Sequence, residues 1–366
     1  LKMRKVLIIS TVPFIHNGIT KVILNYFSAM DKENMDIHLA VFCEKDKEIP
    51  KSILEQIKSA NVHIVPNRKA NFLKYVSSIN KIMKENKFDV VHINGNSNTM
   101  SIELFLAKIN GVPNRIAHAH SSSCSHKIAN LLMKPLTKMF CTYRLACSED
   151  TGKWLFKKEK YVVLKNAICL EHYKYDEKVR EDYRKKLNID DKFVVGHIGL
   201  VNGPKNHIFL FDVFKEIIKI KNNAFLLLIS GSEKLNSELI EKAKKLNIED
   251  KLLFLTKRDD VPQLLQAMDV FVFPSKHEGL GLVLIEAQAS GLPCVVSDGV
   301  PKEVKAIDYV EFLSLNKDIQ VWANEAVNLA EKDNRKSEVE KQLTDAGYNI
   351  YENANILRRI YMGESI

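Results

Sequence analysis

Short runs of Val, Ile and Leu alternate with longer amphipathic stretches along most of the chain. In the first half, the apolar runs predict strands at residues 6–10, 36–43, 62–65, 89–94, 115–120 and 143–148. Helical spacing of apolar residues predicts helices at 18–30, 71–86, 97–109 and 126–139. Strands that alternate with helices in this way indicate a parallel sheet with helices on both faces.

A highly charged stretch, residues 171–190, interrupts this pattern; it is helical at best and is interpreted as a linker region. The pattern then restarts, and the C-terminal residues from about 317 to 361 are expected to be largely helical. Further strands are predicted at 193–199, 225–231, 251–255, 270–274 and 293–297, and helices at 206–220, 235–246, 260–268 and 281–290. The predicted fold class is therefore α/β, with two doubly wound, Rossmann-like domains that face a central cleft.

The length of 366 residues suits two cores better than one. We assign 1–185 to an N-terminal domain and 186–345 to a C-terminal domain. Residues 346–366 are expected to form a C-terminal helix that crosses back onto the N-terminal domain. In open parallel sheets, ligands bind beyond the carboxyl ends of the strands, so the residues that follow strands are the candidates for a site.

Charge is distributed unevenly along the chain. Residues 1–190 contain 32 Lys and Arg against 19 Asp and Glu, a net charge of +13, whereas the whole chain carries +9. An excess confined to one half points to a polyanion or a membrane as a partner on that side. No apolar run approaches the roughly 18 residues that span a bilayer, and the six cysteines show no CxxC spacing, so we expect a cytoplasmic protein.

A glycine-containing turn follows the first strand of each half. Gly18 opens a predicted helix, where backbone amides can approach an anion, although a plain tight turn explains one glycine equally well. Gly199 begins a turn that includes Lys205, which could lie over a phosphate or simply be solvated. Neither turn matches GxGxxG or a Walker motif, which argues against a Rossmann dehydrogenase.

The most informative segment follows the strand at 270–274. Glu278 precedes a glycine pair at the start of a helix, and Glu286 lies eight residues later inside an otherwise apolar helix. A carboxylate in such a helix is costly unless it has a partner, and two ribose hydroxyls would suit it. The alternative is that Glu286 marks a solvent-facing side of the helix. His277-Glu278 is not HExxH, and no metal site is expected.

Residues 269–298, with Glu278 and Glu286 separated by seven residues, resemble the retaining glycosyltransferases of family 4, which have the GT-B fold. Residues 196–199, 205–207, 227–231 and 258–261 match the same family, and the resemblance is closest to the branch that builds bacterial capsular polysaccharides and exopolysaccharides. It implies transfer of a hexosyl group from a nucleoside diphosphate sugar, most simply a UDP-sugar, with no cofactor and no metal.

The resemblance also implies roles for individual residues. Glu286 would bind the donor ribose, Glu278 the donor sugar, and Lys205 the diphosphate. Arg258 would lie against the base, while Gly18 and Gly199 would lie near the phosphates. The amides that would approach the sugar and phosphate belong to Gly279, Leu280, Gly281 and Leu282. A histidine after an N-domain strand would lie near the reacting sugar; we favour His120, although His118 points to the same face of an alternating strand.

One position departs from the family pattern. Leu200 stands where an arginine usually helps Lys205 to hold the diphosphate. The loss of one charge-assisted contact, worth about 1.5–3 kcal/mol, would weaken donor binding roughly ten- to a hundredfold. Leu200 motivates an alternative function, that of a degenerate, non-catalytic subunit that binds a nucleotide sugar. An epimerase is a further alternative, which the Glu278–Glu286 spacing disfavours.

The basic residues of the first half suggest how the acceptor is met. Lys127, Lys134 and Lys138 share one face of a predicted helix, and residues 153–160 mix lysines with aromatics. Such a surface suits binding to the anionic inner face of the plasma membrane, although an ordinary solvated surface would explain these basic residues too. The resemblance implies a saccharide or polyprenyl-linked saccharide acceptor, and no motif for nucleic acid is present.

Overall fold

The computed structural model describes residues 3–43, 48–332 and 339–364. The chain divides into two compact units. The first contains Leu1–Ala167 together with Asn349–Ile366, and the second contains Ile168–Tyr348. Within the described residues, no helix combines the length and the apolar character needed to cross a bilayer.

The first unit is built on a sheet in which every strand is parallel to its neighbours. Over the described residues this sheet has seven strands, and their order along it is β3-β2-β1-β4-β5-β6-β7. The strands are β1 Arg4–Ser10, β2 Met35–Val41, β3 Asn61–Ile64, β4 Val90–Gly95, β5 Asn114–Ala119, β6 Tyr143–Ala146 and β7 Val162–Val163. The sequence order reverses between β1 and β4, which is where such sheets bind ligands.

Helices cover both faces of this sheet. The central residues of β1 are therefore buried on both sides, which agrees with their apolar character; Val6, Leu7 and Ile9 are fully buried. The helices are α1 Gly18–Ala29, α2 Lys51–Gln56, α3 Phe72–Asn86, α4 Ser101–Ile109, α5 Lys127–Phe140 and α6 Glu149–Phe156, with the C-terminal helix, Ile350–Met362, in the same unit. That last helix, called α14 below, packs against α1. Asn353 on it donates a hydrogen bond of 3.0 Å to the carbonyl of Lys165, to which Tyr26 of α1 also donates.

The second unit repeats the plan with a parallel sheet. In the described part of the chain this sheet has six strands in the order β10-β9-β8-β11-β12-β13, and its switch point lies between β8 and β11. The strands are β8 Phe193–Ile198, β9 Ala224–Ser230, β10 Leu252–Thr256, β11 Val270–Phe273, β12 Cys294–Ser297 and β13 Val310–Leu313. The helices are α7 Glu177–Leu187, α8 His207–Ile220, α9 Ser237–Leu246, α10 Val261–Ala267, α11 Leu282–Ala289, α12 Ile319–Glu331 and α13 Val339–Asp345.

Residues 171–190 are not a linker, because Glu177–Leu187 form α7 within the second unit. Arg180 and Arg184 of this helix both donate to the carboxylate of Asp269, which precedes β11. The same carboxylate accepts a hydrogen bond of 2.6 Å from the amide of Val194 in β8. The ion pairs with Asp269 and the packing of Tyr183 and Leu187 against the core thus hold this helix in place. Residues 168–185, which we assigned to the first domain, group with the second unit.

Candidate active site

Lys205 is positioned by the turn that follows β8. The side chain of Asn202 accepts a hydrogen bond of 3.2 Å from the amide of Lys205, which closes a short 3-10 turn over Gly203–Lys205. Asn206 then adopts a left-handed conformation, with φ of 57°, and α8 begins at the next residue. A Cβ atom on Gly199 would lie 3.0 Å from Cδ of Lys205, so the glycine leaves the space that the lysine side chain occupies.

The ammonium group of Lys205 meets the carboxylate of Glu278. Its Nζ donates to Oε1 of Glu278 over 2.7 Å, and the two side chains are only 17% and 13% exposed. Nζ also lies 4.5 Å from the centroid of the Phe273 ring, at a distance suited to a cation–π contact. Low exposure strengthens both contacts, so the charge of Lys205 has a defined position at the ends of β8 and β11.

Main-chain contacts hold the loop that carries Glu278. The amide of Lys276 donates to the carbonyl of Pro204 over 2.8 Å, and the amide of Glu278 donates to the carbonyl of Gly299 over 3.3 Å. A Cβ atom on Gly299 would lie 2.4 Å from the carbonyl oxygen of Lys276, which only a glycine avoids. The loop is therefore fixed between the Lys205 turn and the segment after β12.

Gly281 ends this loop in a left-handed conformation, with φ of 81°, and α11 begins after it. Glu286 lies on α11 and is 3% exposed, among the buried residues Leu284, Ile285 and Ala287. The interpretation that Glu286 marks a solvent-facing side of the helix is therefore wrong. Two features therefore follow β11, close in sequence to Glu278. The first is the set of amides at the start of α11, and the second is the buried carboxylate of Glu286 further along the same helix.

Arg258 follows β10, one strand beyond β9. Its guanidinium forms a two-pronged ion pair with Asp260, in which the Nε–Oδ1 distance is 2.7 Å. The hydroxyl of Tyr183 donates to the same carboxylate over 3.0 Å, and hydrogen bonding to Arg258 lowers the pKa of Asp260. Arg258 is thus oriented by neighbours in its own unit, whereas Leu200, in the turn after β8, is 43% exposed.

His197 is a residue at this site to which sequence reasoning gave no role. It is fully buried at the end of β8, and its Nδ1 donates to the carbonyl of Val272 over 2.9 Å. Burial, and then the neighbouring His207, lower its pKa well below the usual value, so the ring is neutral and Nε2 presents a lone pair. No hydrogen-bond partner for Nε2 is found among the described residues, and this atom would lie 3.2 Å from a Cβ on Gly199. The sequence did contain a signal for His197, because it lies in the segment 196–199, which resembles the family.

Gly18 lies in the first unit, after the loop that follows β1. The side chain of Asn17 caps α1 by accepting a hydrogen bond of 3.0 Å from the amide of Thr20. Gly18 itself is exposed, and no atom lies within 4 Å of the position that a Cβ would take. Packing inside the described part of the protein therefore gives no reason for a glycine at this position.

His118 and His120 point to the same face, as the alternation of β5 predicts, and both are buried. Nε2 of His120 lies 2.9 Å from Oδ1 of Asn94, and its Nδ1 lies 3.2 Å from Oδ1 of Asn166. A neutral imidazole has one proton, so one of these contacts requires the other orientation of an asparagine amide. Burial lowers the pKa of His120 to about 4, so the ring is neutral at pH 7.

His118 belongs to a chain of polar groups that extends away from His120. Its Nδ1 lies 3.2 Å from Nε2 of His92, and Nδ1 of His92 lies 2.5 Å from the hydroxyl of Tyr361 on α14. The rings of His118 and His120 are 4.1 Å apart between centroids. The two histidines therefore differ in their partners: His120 contacts two asparagines, whereas His118 contacts His92.

The predicted site residues fall into two groups. The second unit brings together Gly199, Lys205, Glu278, the segment 279–282 and Glu286 around the ends of β8 and β11, with Arg258 two strands away from β8. Gly18 and His120 belong to the first unit, at the ends of β1 and β5. In the ranges 3–43, 48–332 and 339–364, no group of three His, Cys, Asp or Glu residues is placed to hold a metal ion.

Comparison with known families gives one match for each half of the chain. Residues 179–350 match the family described as glycosyl transferases group 1, and residues 11–149 match the family described as glycosyl transferase 4-like. The first match contains Lys205, Arg258, Glu278 and Glu286, and the second contains Gly18 and His120.

Curated relatives align over almost the whole chain. EpsF of Bacillus subtilis, which carries the name of a glycosyltransferase, is 30% identical over 94% of this chain and 93% of its own length. The UDP-Gal:α-D-GlcNAc-diphosphoundecaprenol α-1,3-galactosyltransferase of Escherichia coli is 27% identical and covers 94% of each chain. The capsular polysaccharide biosynthesis glycosyltransferase CapM of Staphylococcus aureus is 29% identical over 73% of each chain.

Solved structures share the fold at lower sequence identity. HepE of Anabaena, solved in complex with UDP-glucose, superposes with a TM-score of 0.78 at 19% identity and covers 98% of this chain and 99% of its own. WaaG, a glycosyltransferase involved in lipopolysaccharide biosynthesis, superposes with a TM-score of 0.71 at 17% identity, over 98% of this chain and all of its own. These likenesses confirm the predicted fold class of two Rossmann-like domains.

Proposed function

Because the chain belongs to the family 4 glycosyltransferases of the GT-B fold, in the capsular and exopolysaccharide branch, we propose that it is a retaining hexosyltransferase that uses a UDP-sugar. The acceptor in this proposal is a hydroxyl of a saccharide or of a polyprenyl-linked saccharide. Support for UDP comes from HepE, which was solved with UDP-glucose, and support for a lipid-linked acceptor comes from the Escherichia coli relative.

The observation that carries the proposal is the Lys205–Glu278 pair at the switch point of the second sheet, 2.7 Å apart. An ammonium group has three N–H donors, and Glu278 takes one of them. The others are available to a diphosphate, whose charge grows as the bond to the sugar breaks. A fixed cation of low exposure stabilises that developing charge without having to reorganise.

Glu278 and Glu286 have separate roles in this proposal. Glu278 accepts hydrogen bonds from hydroxyls of the donor sugar while its second oxygen keeps Lys205 in place. Glu286, buried on α11, accepts from the ribose hydroxyls, and the amides of residues 279–282 approach the sugar and the phosphate. Arg258, which its pair with Asp260 holds in a fixed orientation, lies against the base. Gly18 leaves room for phosphate near the backbone, and Gly199 leaves room for the side chain of Lys205, which binds the phosphate.

His120 remains our choice for the histidine near the reacting sugar. With a pKa lowered by burial to about 4, it is uncharged at neutral pH and does not act as a cation. A hydrogen bond to the substrate would replace one of its contacts with Asn94 and Asn166. Catalysis then depends mainly on positioning and on the stabilised diphosphate, with the acceptor attacking the face from which the leaving group departs. We propose that no metal ion is needed, because Lys205 and the helix amides supply positive charge to the leaving group.

The test is UDP release from UDP-glucose, UDP-galactose and UDP-N-acetylglucosamine, with saccharide and undecaprenyl-diphosphate-linked acceptors, with and without EDTA. We expect release with one donor, unaffected by EDTA, and a product whose anomeric configuration matches that of the donor by NMR. The Glu286→Gln variant, which removes a charge at constant shape, should bind UDP about tenfold more weakly, whereas Glu238→Gln, at an exposed position on α9, should not.

Three outcomes would contradict parts of the proposal. Inversion of the anomeric centre would remove the retaining mechanism, and loss of release in EDTA would remove metal independence. UDP binding without release from any donor would instead favour the alternative of a non-catalytic, nucleotide-sugar-binding subunit, for which Leu200 is the motivating feature.

A further inference from the structure

Lys276, in the loop after β11, is a cation without an acidic partner. The cations that lie between β8, β10 or β11 and the next α-helix are Lys205, Lys257, Arg258 and Lys276. Three of them form ion pairs, which are Lys205–Glu278, Lys257–Glu233 and Arg258–Asp260. Among residues 3–43, 48–332 and 339–364, the side chain of Lys276 has no ion pair or hydrogen bond, and it is exposed. Its charge is therefore available to a ligand.

Lys276 also determines the net charge of the segments that follow β8 and β11. Residues 199–206 and 274–281 contain Lys205, Lys276 and Glu278 and no other Lys, Arg, Asp or Glu. Since the carboxylate of Glu278 lies 2.7 Å from Nζ of Lys205, these two charges largely cancel at a distance. Leu200, at 43% exposure, adds no charge to the first segment. The net positive charge that would attract a diphosphate here therefore comes from Lys276.

Main-chain contacts place Lys276 beside the turn that carries Lys205. The amide of Lys276 donates to the carbonyl of Pro204, the residue before Lys205, over 2.8 Å. Its own carbonyl oxygen would lie 2.4 Å from a Cβ atom on Gly299. The backbone of Lys276 is thus held by close neighbours, while its exposed side chain is a flexible stem with a charged end. The ammonium group can therefore reach a ligand bound next to Lys205.

We propose that Lys276 contacts the diphosphate of the nucleotide sugar and provides the charge that Glu278 withdraws from Lys205. This role rests on the proposed function, because it requires a nucleoside diphosphate as the ligand. Lys205 has low exposure and a fixed position, whereas the side chain of Lys276 moves from solvent onto the ligand. A hydrogen bond from a lysine to a phosphate is charge-assisted, so its loss should weaken binding about tenfold.

Lys276 and an arginine introduced at Leu200 would bind the same diphosphate. Gly199, next to Leu200, lies beside the Lys205 side chain, since a Cβ atom on this glycine would be 3.0 Å from Cδ of the lysine. Two cations on one anion repel each other and share its charge, so their contributions to affinity should not add. The gain in UDP affinity from Leu200→Arg should therefore be larger when the charge of Lys276 has been removed.

The experiment is calorimetric titration of the full chain with UDP. Lys276→Gln should weaken UDP binding about tenfold, whereas Lys276→Arg, which keeps the charge, should retain most of the affinity. Uridine lacks phosphate, so the wild type and Lys276→Gln should bind it equally, as measured by ligand-observed NMR. Lys245→Gln, at an exposed position on α9, is the matched control and should bind UDP like the wild type. The Leu200→Arg substitution, made in the wild type and in Lys276→Gln, completes a double-mutant cycle.

Any of three results would overturn this role of Lys276. They are equal UDP affinities of Lys276→Gln and Lys245→Gln, an equal loss of uridine and UDP affinity in Lys276→Gln, and additive effects in the cycle. No UDP binding by the wild type would overturn both this inference and the proposed function. The proposed function can also fail alone. UDP binding that responds to Lys276→Gln as expected, without UDP release from any nucleotide sugar, would support the diphosphate contact and contradict the transferase.

Discussion

Nζ of Lys205 lies 2.7 Å from Oε1 of Glu278, and the side chains come from turns that follow β8 and β11, adjacent strands of the second sheet. Both side chains have low exposure, so the pair is stronger than an ion pair on the surface. The pair consists of the two residues that the family resemblance assigns to the diphosphate, Lys205, and to the donor sugar, Glu278.

Substitution of Lys205 by alanine should weaken UDP and UDP-sugar binding about ten- to a hundredfold. The change removes one charge-assisted contact and leaves Glu278 to repel the diphosphate. Calorimetric titration with UDP measures the effect. Lys219→Ala is the control, because that lysine pairs with Glu216 on the exposed face of α8 and should leave UDP affinity unchanged. Equal affinities of Lys205→Ala and wild type would remove Lys205 from the site.

Introduction of arginine at Leu200 should tighten UDP-sugar binding about tenfold or more. Leu200 is 43% exposed, so a longer side chain has room, and arginine would add a two-pronged donor for the diphosphate. The Leu200→Gln variant controls for the loss of the apolar side chain. If the arginine variant binds UDP no more tightly than the glutamine variant, the leucine does not limit donor affinity.

Stability should fall in acid because of buried, neutral histidines. Burial lowers the pKa of His120 to about 4 from 6.5, so between these values the unfolded chain binds more protons than the folded chain. The neutral ring of His120 therefore contributes about 3 kcal/mol to the free energy of unfolding above about pH 6.5. This contribution is lost as the pH falls toward 4.

The His120→Gln variant should show a flatter dependence of unfolding free energy on pH between 6.5 and 4, as followed by urea denaturation. The comparison uses slopes with pH, so a general loss of stability in the variant does not obscure it. His172→Gln, at an exposed position, should keep the wild-type slope. An unchanged slope in the His120 variant would show that this ring does not titrate on unfolding as proposed.

Removal of the charge of Asp269 should destabilise the second unit by about 3 kcal/mol. The carboxylate accepts from Arg180, Arg184 and the amide of Val194, and Asp269→Asn leaves two largely buried guanidinium groups without their anion. Urea denaturation of the full chain measures the loss. Asp191→Asn breaks a pair with Lys192 that lies in solvent, so its effect on stability should be much smaller. Similar costs for both variants would contradict the structural role given to Asp269.

The continuous apolar runs of β1 and β11 made both parallel sheets predictable, because strands that are covered on both faces have this pattern. Residues 149–156 and 162–163, which form α6 and β7, gave no such signal, since short elements contain too few periods of either pattern. Residues 171–190, which include helix α7, were interpreted as a linker for another reason. Much of the attachment of α7 comes from Arg180 and Arg184, and a rule that looks for an apolar face assigns such a helix to solvent.

The site was partly predictable as well. The spacing of Glu278 and Glu286, and the glycines between them, predicted from the sequence alone that Glu286 is a buried carboxylate. The pairing of Glu278 with Lys205 was not predictable, since the two residues are 73 positions apart and meet only through the adjacency of β8 and β11. The buried Nε2 of His197 escaped for the same reason, because its surroundings come from neighbouring strands.

The backbone contacts around Gly299 have a consequence for protein engineering. Amides and carbonyls of residues 204, 276, 278 and 299 hold the loop in place, so its path does not depend on the exposed side chain of His277. That side chain can therefore be exchanged in a library that seeks a different sugar preference, while the charged pair keeps its geometry. Gly299 must stay fixed in any such library, because a methyl group there would collide with the carbonyl of Lys276.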